Sequence, residues 1–440
     1  MAEHKQAAFS SKVGLIMAAA GSAVGLGNIW KFPYIAGENG GGAFLIVYLL
    51  CVVGFGLPLV MTEFLIGKRS GRSAYGAFKE LNGNNRWQWL SWLCMLTAFL
   101  IMGFYFVVTG WCVSYLTEAL GNAFHDLDTT ALNSHFAAVA SDVPRMVLFS
   151  CLAVVLTGAV LWFEVNKGIE RLSKILMPLL LLMMLLMAGR VLMLDGSNIG
   201  MRFFFQTDFT KITPKVIMEA MGQCFFSLSI GMGALITYGA YMPKNQNVAR
   251  TSVQVIILDT LVAILAGLII FPAVFAFGFD PAEGPQLVFV VLPAIFEQMS
   301  FSWLSSVLFF GLLCIAALTS TISLMEVAVA FVNEASNGKL NRQKSVLIVS
   351  ACVMVLIVLC VLSGTVFDAL DEVTSCIMMP LGALGMCMFV GWNLPKKGTK
   401  GMLYADRGIR HWFGKIYIAA LRWVVPAAII LIFLNSIGVL

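Results

Sequence analysis

The chain has 440 residues, 60% hydrophobic and 12% charged, with a formal net charge of +5 and a mean hydropathy of +0.89. A soluble domain carries about twice that charged fraction, so the composition indicates an all-α integral membrane protein. Its apolar runs are continuous and about 20 residues or longer, which excludes the alternating segments of about 10 residues in a membrane β-barrel.

Met1 to Ser10 is short and polar. The first apolar segment is followed by a second without a cleavage site, so it reads as a retained span and not a signal peptide. Hydropathy and loop punctuation predict eleven helices, at 11–36, 43–68, 88–122, 146–164, 168–194, 214–242, 246–279, 301–335, 344–363, 369–394 and 413–438. With the N-terminus inside, the inner segments hold most of the Lys and Arg. They include Lys68, Arg69, Arg72, Lys79 and Arg86 in one loop and Lys396, Lys397, Lys400, Arg407, Arg410 and Lys415 in another. The outer segments hold only Arg145, Arg190, Arg202, Lys211 and Lys215. This bias places the N-terminus in the cytoplasm and, with an odd helix count, the C-terminus outside the inner (plasma) membrane. The net charge thus speaks of orientation and not of a nucleic-acid partner.

Helix 1 is interrupted at Gly21-Ser22-Ala23-Val24-Gly25-Leu26-Gly27-Asn28, and helix 6 at Ser227-Leu228-Ser229-Ile230-Gly231-Met232-Gly233. Backbone groups cannot stay unpaired in lipid, so a broken span is tolerated only inside protein or against a cavity. One Gly-x-Gly alone reads as close helix packing. Two, flanked by Ser and Asn, point to a central transport site. The break in helix 1 offers carbonyls around Gly21 to Val24 to a cation and N–H groups to a carboxylate. The spacing makes helices 1–5 (11–194) and 6–10 (214–394) two inverted repeats of one domain, with helix 11 (413–438) outside them.

Ionisable groups at membrane depth are functional candidates. Asp259 lies mid-helix, and Glu63 and Glu326 lie in the inner halves of helices 2 and 8. The last two read equally well as packing acids. Arg422 reads as a residue that pairs locally or snorkels. Thr319-Ser320-Thr321 on helix 8 is, taken alone, most simply three hydroxyls bonded to their own helix. All ten Cys fall inside spans without a C-x-x-C, so neither a disulfide framework nor a metal-thiolate site is indicated. The four His lie in loops or at termini and no nucleophile–base pair is evident, which argues against an enzyme.

Gly21 to Pro33, followed by Glu38-Asn39-Gly40-Gly41-Gly42-Ala43-Phe44, resembles the helix 1 signature of the neurotransmitter:sodium symporters. Gln223 to Tyr238 and Ala316 to Thr321 resemble the same family's helices 6 and 8, and the likeness runs over essentially the whole chain. The resemblance implies the LeuT-type fold and two Na⁺. The first would be held by the Ala23 carbonyl, Asn28, Ser227, Asp259 and the substrate carboxylate. The second would be held by carbonyls of Gly21, Val24 and Ala316 and the hydroxyls of Thr319 and Ser320. Tyr105 and the N–H groups of Gly25 and Gly27 would bind the substrate carboxylate. Ile101, Phe226, Ser229, Met232 and Leu324, with Ala23, Ser227 and Ser320, would complete the substrate pocket.

Departures from the family pattern carry further expectations. Asp259 stands where animal members have Asn and bind chloride nearby, at positions matching Tyr48, Gln223 and Ser227. Ala263 stands where the bacterial prototype has a charge-compensating glutamate. Asp259 would then supply the negative charge, making transport chloride-independent. No carboxylate occupies position 22 or 229 to meet a second amine. Monoamine members carry an Asp on helix 1 near here, where this chain has Ala or Gly, which favours an α-amino acid over a monoamine. Met232 makes room for large side chains, so the expected substrates are hydrophobic L-amino acids, aromatic and branched or large aliphatic. The outer Arg of the family is Lys31, with Thr374 at its acidic partner's position and Asp371 one turn away; Trp30 and Phe226 would act as lids. At the inner gate Gln6 and Phe9 replace Arg and Trp, Lys5 would substitute for the Arg, and Glu334 keeps the acidic position. The alternatives are symport of another small zwitterion, such as a polar neutral amino acid, and an amino-acid sensor on the same fold. A monomer or a dimer is equally compatible with the sequence.

Overall fold

The computed structural model describes residues 8–436 apart from 84, 244, 282–286, 338 and 395–410. Among these residues every regular element is helical. Helices α1 (Lys12–Ala23) and α2 (Gly27–Glu38) form one apolar segment bent by 50° at a short break. Among the described residues nine other helices are long and apolar enough to cross a bilayer, or ten spans with the bent pair counted. These nine include α3 (Gly42–Ser70), α5 (Gln88–Leu120), α7 (Val143–Leu161), α8 (Ile169–Leu192) and α12 (Val248–Ala276). The others are α14 (Ser302–Ala335), α15 (Arg342–Leu362), α16 (Gly364–Asn393) and α17 (Gly414–Leu431).

The expected span 214–242 divides into α10 (Pro214–Ser227) and α11 (Ala234–Ala240). Neither half is long enough to cross alone. Ser229, Gly231 and Gly233 all have positive φ, at 54°, 94° and 77°. Three left-handed residues within five positions cannot continue a right-handed helix. Glycine adopts this conformation without penalty, whereas Ser229 is held there by its contacts.

Four short helices outside the expected spans pack against the spanning helices: α4 (Ala74–Asn82), α6 (Thr129–Ser141), α9 (Ser197–Phe205) and α13 (Leu287–Glu297), the last apolar but too short to cross. Expected boundaries at helices 9 and 10 also move. Asn341 caps α15 by accepting from Lys344 N, so that helix starts at Arg342 and not 344. The expected 369–394 begins at Gly364, because Asp368, Asp371 and Glu372 dilute the hydropathy of its first turns. Lys5, Gln6, Lys396, Lys397, Lys400, Arg407 and Arg410, named above, lie outside the described residues.

Burial identifies the centre. The most apolar stretch of α5 is 72% buried, whereas those of α7, α8 and α15 are 33% buried and turn Leu152, Val155, Ile175, Leu182 and Val355 outward. α5 packs most extensively on α14, and α1 lies between α8, α12 and α14. The broken helices therefore sit at the core, where protein rather than lipid meets their open backbone.

Candidate functional site

The two breaks are tied together by polar contacts. Ser229 Oγ donates to the Ser22 carbonyl at 2.8 Å, Gln223 Nε2 donates to the Gly27 carbonyl at 2.7 Å, and Asn28 Nδ2 donates to Ser227 Oγ at 2.9 Å. The first two satisfy carbonyls that helix interruption would leave open, and the third joins the two breaks side chain to side chain. From the side, Glu63 Oε1 on α3 accepts from Gly231 N at 2.8 Å. The N–H groups of Leu235 and Ile236 at the start of α11 lie by the same carboxylate. Glu63 is thus more than a packing acid. Opposite it, Gly382 lets α16 approach, since a Cβ there would lie 2.4 Å from the Gly231 oxygen.

Between the breaks is a cavity lined by Ser22, Ala23, Gly25, Gly27, Ile101, Tyr105, Phe226, Ser229, Met232, Ser320 and Leu324. Every expected pocket residue except Ser227 is on that wall. The polar groups gather at one end. Tyr105 Oη accepts from Leu26 N at 3.1 Å, and Gly25 N donates to Asn28 Oδ1 at 3.1 Å. A Cβ on Gly25 would meet Ser320 Oγ at 2.3 Å and Tyr105 Oη at 2.7 Å, so only glycine fits there. The sequence reading gives Ser22 no positive role, yet its hydroxyl is buried, lines the cavity and has no hydrogen-bond partner among the described residues. The other end is apolar: Ile101, Phe226, Met232 and Leu324. The space between is ≈ 30 Å³, far below the ~300–1,000 Å³ usual for a small-ligand site. A side chain therefore enters only as these walls move.

Ser227 instead faces a buried polar cluster with Asp259. Its Oγ lies 2.9 Å from either carboxylate oxygen of Asp259. Asn28 Nδ2 donates to Asp259 Oδ1 at 2.7 Å, and Tyr48 Oη reaches Oδ2 at 3.4 Å. Three donors converge on one fully buried carboxylate. For Asn28 to present its oxygen to a cation here, its amide must turn over and give up these bonds.

A second oxygen-rich point lies between α1 and α14. Ser320 Oγ donates to the Val24 carbonyl at 3.4 Å, and Thr319 Oγ1 bonds the Ala316 carbonyl at 2.9 Å. The bland reading of Thr319 is realised, while Ser320 crosses to the broken helix. A Cβ on Gly21 would lie 3.3 Å from Thr319 Cβ, so these two positions also face each other. Carbonyl and hydroxyl oxygens of this kind suit Na⁺ at a broken helix.

On the side of the cavity toward α2, Lys31 Nζ lies 3.6 Å from Asp371 Oδ1 and 4.5 Å from the centre of the Phe226 ring. Thr374 is turned away, donating to its own helix at Leu370 O. Trp30 meets Tyr34 and Phe289 edge-on. On the opposite side, Phe9 is buried against Tyr238 and Tyr241. Glu334 accepts from Ser73 N at 3.0 Å and pairs with Arg72 at 3.5 Å. Two further clamps were not foreseen. Glu170 accepts from Ser10 N (2.6 Å), Ser10 Oγ and Ser11 Oγ (both 2.8 Å). Glu326 accepts from both Arg342 and Tyr241. Arg422 bonds the Gly391 carbonyl at 2.6 Å, the local pairing expected.

Comparison with known proteins agrees with this architecture. Residues 6–134 and 122–439 match the model of the Sodium:neurotransmitter symporter family. An uncharacterized sodium-dependent transporter, YhdH, of Bacillus subtilis is 38% identical over 100% of both chains. An uncharacterized sodium-dependent transporter of Haemophilus influenzae is 32% identical over 98% of each. The crystal structure of MhsT in complex with L-phenylalanine superposes with a TM-score of 0.90 at 37% identity, covering 98% of this chain and 99% of that one. The chain belongs to the sodium:neurotransmitter symporter family, and is a multi-pass, sodium-dependent membrane transporter of the LeuT-type fold, not an enzyme.

Proposed function

We infer that the chain couples two Na⁺ to the import of hydrophobic L-amino acids by alternating access. The observation that carries this is the divided cavity between the breaks, polar at Gly25, Tyr105 and Ser320 and apolar at Ile101, Phe226, Met232 and Leu324. Such a site takes a zwitterionic backbone at one end and an apolar side chain at the other. The L-phenylalanine held by the neighbour MhsT supports the same substrate class.

On this reading the substrate carboxylate meets Tyr105 and the N–H groups of Gly25 and Gly27. One Na⁺ sits among Ala23, Asn28, Ser227 and Asp259, close enough for the substrate carboxylate to complete its shell. The other sits among Gly21, Val24, Ala316, Thr319 and Ser320 and joins α1 to α14. Ions that bind one arrangement of these helices better shift the population toward it, and a ligand shared between ion and substrate couples their affinities. Asp259 supplies the charge that offsets Na⁺, so transport needs no chloride. Lys31, Asp371 and Trp30 with Phe226 close the outer path. The eleven spans form the inverted repeats 11–194 and 214–394 with an added helix, the N-terminus lying inside the cell membrane. Supporting that orientation is the crowding of Lys and Arg at one membrane face.

Counterflow of radiolabelled L-phenylalanine, L-tryptophan and L-leucine in proteoliposomes, in Na⁺ or K⁺, tests the proposal. Sodium-dependent exchange is expected, undiminished when gluconate replaces chloride. Exchange of polar amino acids alone would establish the runner-up substrate class. Loss of exchange in gluconate would remove the role given to Asp259.

A further inference from the structure

Where α7 ends and α8 begins, a cavity of ≈ 500 Å³ is lined by Phe163, Asn166, Lys167, Arg171 and Lys174. It is well separated in sequence from the central pocket and shares no lining residue with it. Its size falls within the ~300–1,000 Å³ usual for small-ligand sites. Three of its five lining residues are cations. Among the described residues no ion pair joins Lys167 or Arg171 to an acid, and Lys174 pairs with Glu170 at 2.6 Å. Glu164, the nearby acid in sequence, is exposed and makes no ion pair among the described residues. Gly168, which opens α8, provides no side-chain cap.

The wall of this cavity is fixed rather than loose. Arg342 Nε donates to the carbonyls of Leu161 and Phe163 at 2.8 and 2.9 Å, which holds the end of α7 in place. Phe163 and Trp162 are exposed beside it, and the outward surface continues along α8 as Ile175, Leu179 and Leu182. A cationic pocket therefore opens onto an apolar, lipid-facing helix surface, at the membrane face where the chain concentrates its Lys and Arg.

We propose that this cavity binds the headgroup phosphate of an anionic phospholipid, with the acyl chains lying along α8. A soluble anion matches the charge but leaves the apolar continuation uncovered. A zwitterionic phospholipid such as phosphatidylcholine brings the same phosphate but adds a cationic choline beside three cations, Lys167, Arg171 and Lys174. An anionic phospholipid satisfies both. The bound phosphate also draws on Lys174, which otherwise orders Glu170. Glu170 in turn holds Ser10 and Ser11 at the start of α1, so lipid occupancy loosens that clamp.

The test uses the full-length purified protein with phosphatidylglycerol, phosphatidylcholine or glycerol phosphate, reading bound molecules by native mass spectrometry. Lys167→Gln with Arg171→Gln is the test variant, since neither side chain forms an ion pair among the described residues. Lys79→Gln with Lys344→Gln removes equal charge from the same face and serves as control. Retention of phosphatidylglycerol is expected to fall on the order of tenfold or more in the test variant, at about 1 kcal/mol per basic residue, and to be unchanged in the control. Equal weakening by the control, or equal retention of phosphatidylcholine, would overturn the site. Binding of glycerol phosphate as tight as that of the lipid would overturn the role of the acyl chains. Hydrogen exchange at residues 10–14 is expected to quicken with phosphatidylglycerol in the wild type but not in the test variant. Unaltered exchange would overturn the link to the clamp.

Discussion

Glu63→Ala probes what holds the break between α10 and α11 open in one shape. Glu63 is fully buried, and its Oε1 is the acceptor for the Gly231 N–H at 2.8 Å. Truncation leaves that N–H buried without a partner, at a cost of about 1–3 kcal/mol. The start of α11 also loses the carboxylate by its Leu235 and Ile236 N–H groups, a helix-terminus interaction of about 0.3–1 kcal/mol. The combined loss is about 3 kcal/mol. Unfolding entropy is about 2.1 cal/mol/K per residue, so over 440 residues the melting midpoint falls by about 3 °C. A thiol-reactive dye reads this as the rise above the reaction of the exposed Cys352, since Cys94 and Cys224 are buried until the core opens. Glu63→Gln keeps the volume and an acceptor for Gly231, and is expected to lose about 1 kcal/mol or less. Substrate affinity should fall in the same order, because Ser229 and Met232 lie in the segment Glu63 holds. An alanine variant that melts with the wild type and binds substrate normally would refute this reasoning. So would a glutamine variant as damaged as the alanine one.

Gly25→Ala places a methyl group 2.3 Å from Ser320 Oγ and 2.7 Å from Tyr105 Oη; sodium-dependent amino-acid binding, measured by scintillation proximity, is expected to be lost while the protein still purifies as a folded species. Asp371→Asn removes a partly exposed ion pair of 3.6 Å, worth about 1 kcal/mol or less, so apparent affinity should change at most about fivefold. Lys31→Ala also loses the contact with the Phe226 ring and is expected to do more, as judged by uptake kinetics of the two variants. In the outer loops, the hydrogen bond to Glu297 is the main cause raising the His125 pKa, with the charge of Asp126 adding to it. Burial pushes Glu297 up, but hydrogen bonds from Ser302 and His125 outweigh it and leave its pKa lowered. A raised His pKa stabilises fully below its unfolded value of about 6.5 and that contribution is lost as pH rises through the folded value. The lowered Glu297 pKa stabilises above about 4.3 and is lost as pH falls through its folded value. Hydrogen-exchange protection of residues 121–128 is therefore expected to decline above about pH 6.5, and His125→Gln should flatten that decline.

The sequence made the breaks legible because lipid is unforgiving of open backbone. Gly-x-Gly inside an apolar run has few explanations, and two of them have fewer. The breaks were nameable from the residues themselves, whereas the eleven pocket candidates came from the family resemblance, and the cavity gathers ten of them in one wall. What stayed hidden were partners distant in sequence. Glu63 meets Gly231 from 168 residues away, and no periodicity encodes that meeting. Arg342 with Glu326 and Glu170 with Ser10 are hidden for the same reason. The short helices α4 and α6 were hidden differently: their signals are local but polar. Ser73 caps α4 and Gly83 closes it with φ 70°, while Asp128 caps α6. Cap residues were present to be read, but a hydropathy scan attends to spans. Ser229 is a third case, since a non-glycine at φ 54° is placed by its bond to Ser22 and not by its own preference.

The polar contacts also constrain how the proposed ions and substrate communicate. Gly25 N and the Asp259 carboxylate are held by opposite ends of one amide, that of Asn28, at 3.1 and 2.7 Å. Turning that amide toward a cation frees Gly25 N, which faces the polar end of the cavity. A sodium ion at Asp259 would thus release an N–H donor for the substrate carboxylate by the same rotation. Ser320 works from the other side, since its hydroxyl spans Val24 O and the neighbourhood of Tyr105. Occupying the Val24 carbonyl with a second ion changes what Ser320 is free to bond. Each proposed ion position is therefore separated from the proposed carboxylate position by a single side chain, Asn28 or Ser320. Coupling through one rotor is short enough to be tested by that rotor alone: Asn28→Asp keeps an acceptor for Gly25 but removes the donor to Asp259. Sodium and substrate affinities should then lose their mutual dependence, beyond any uniform weakening of both. If sodium still shifts substrate affinity by the wild-type factor in that variant, the coupling does not run through Asn28.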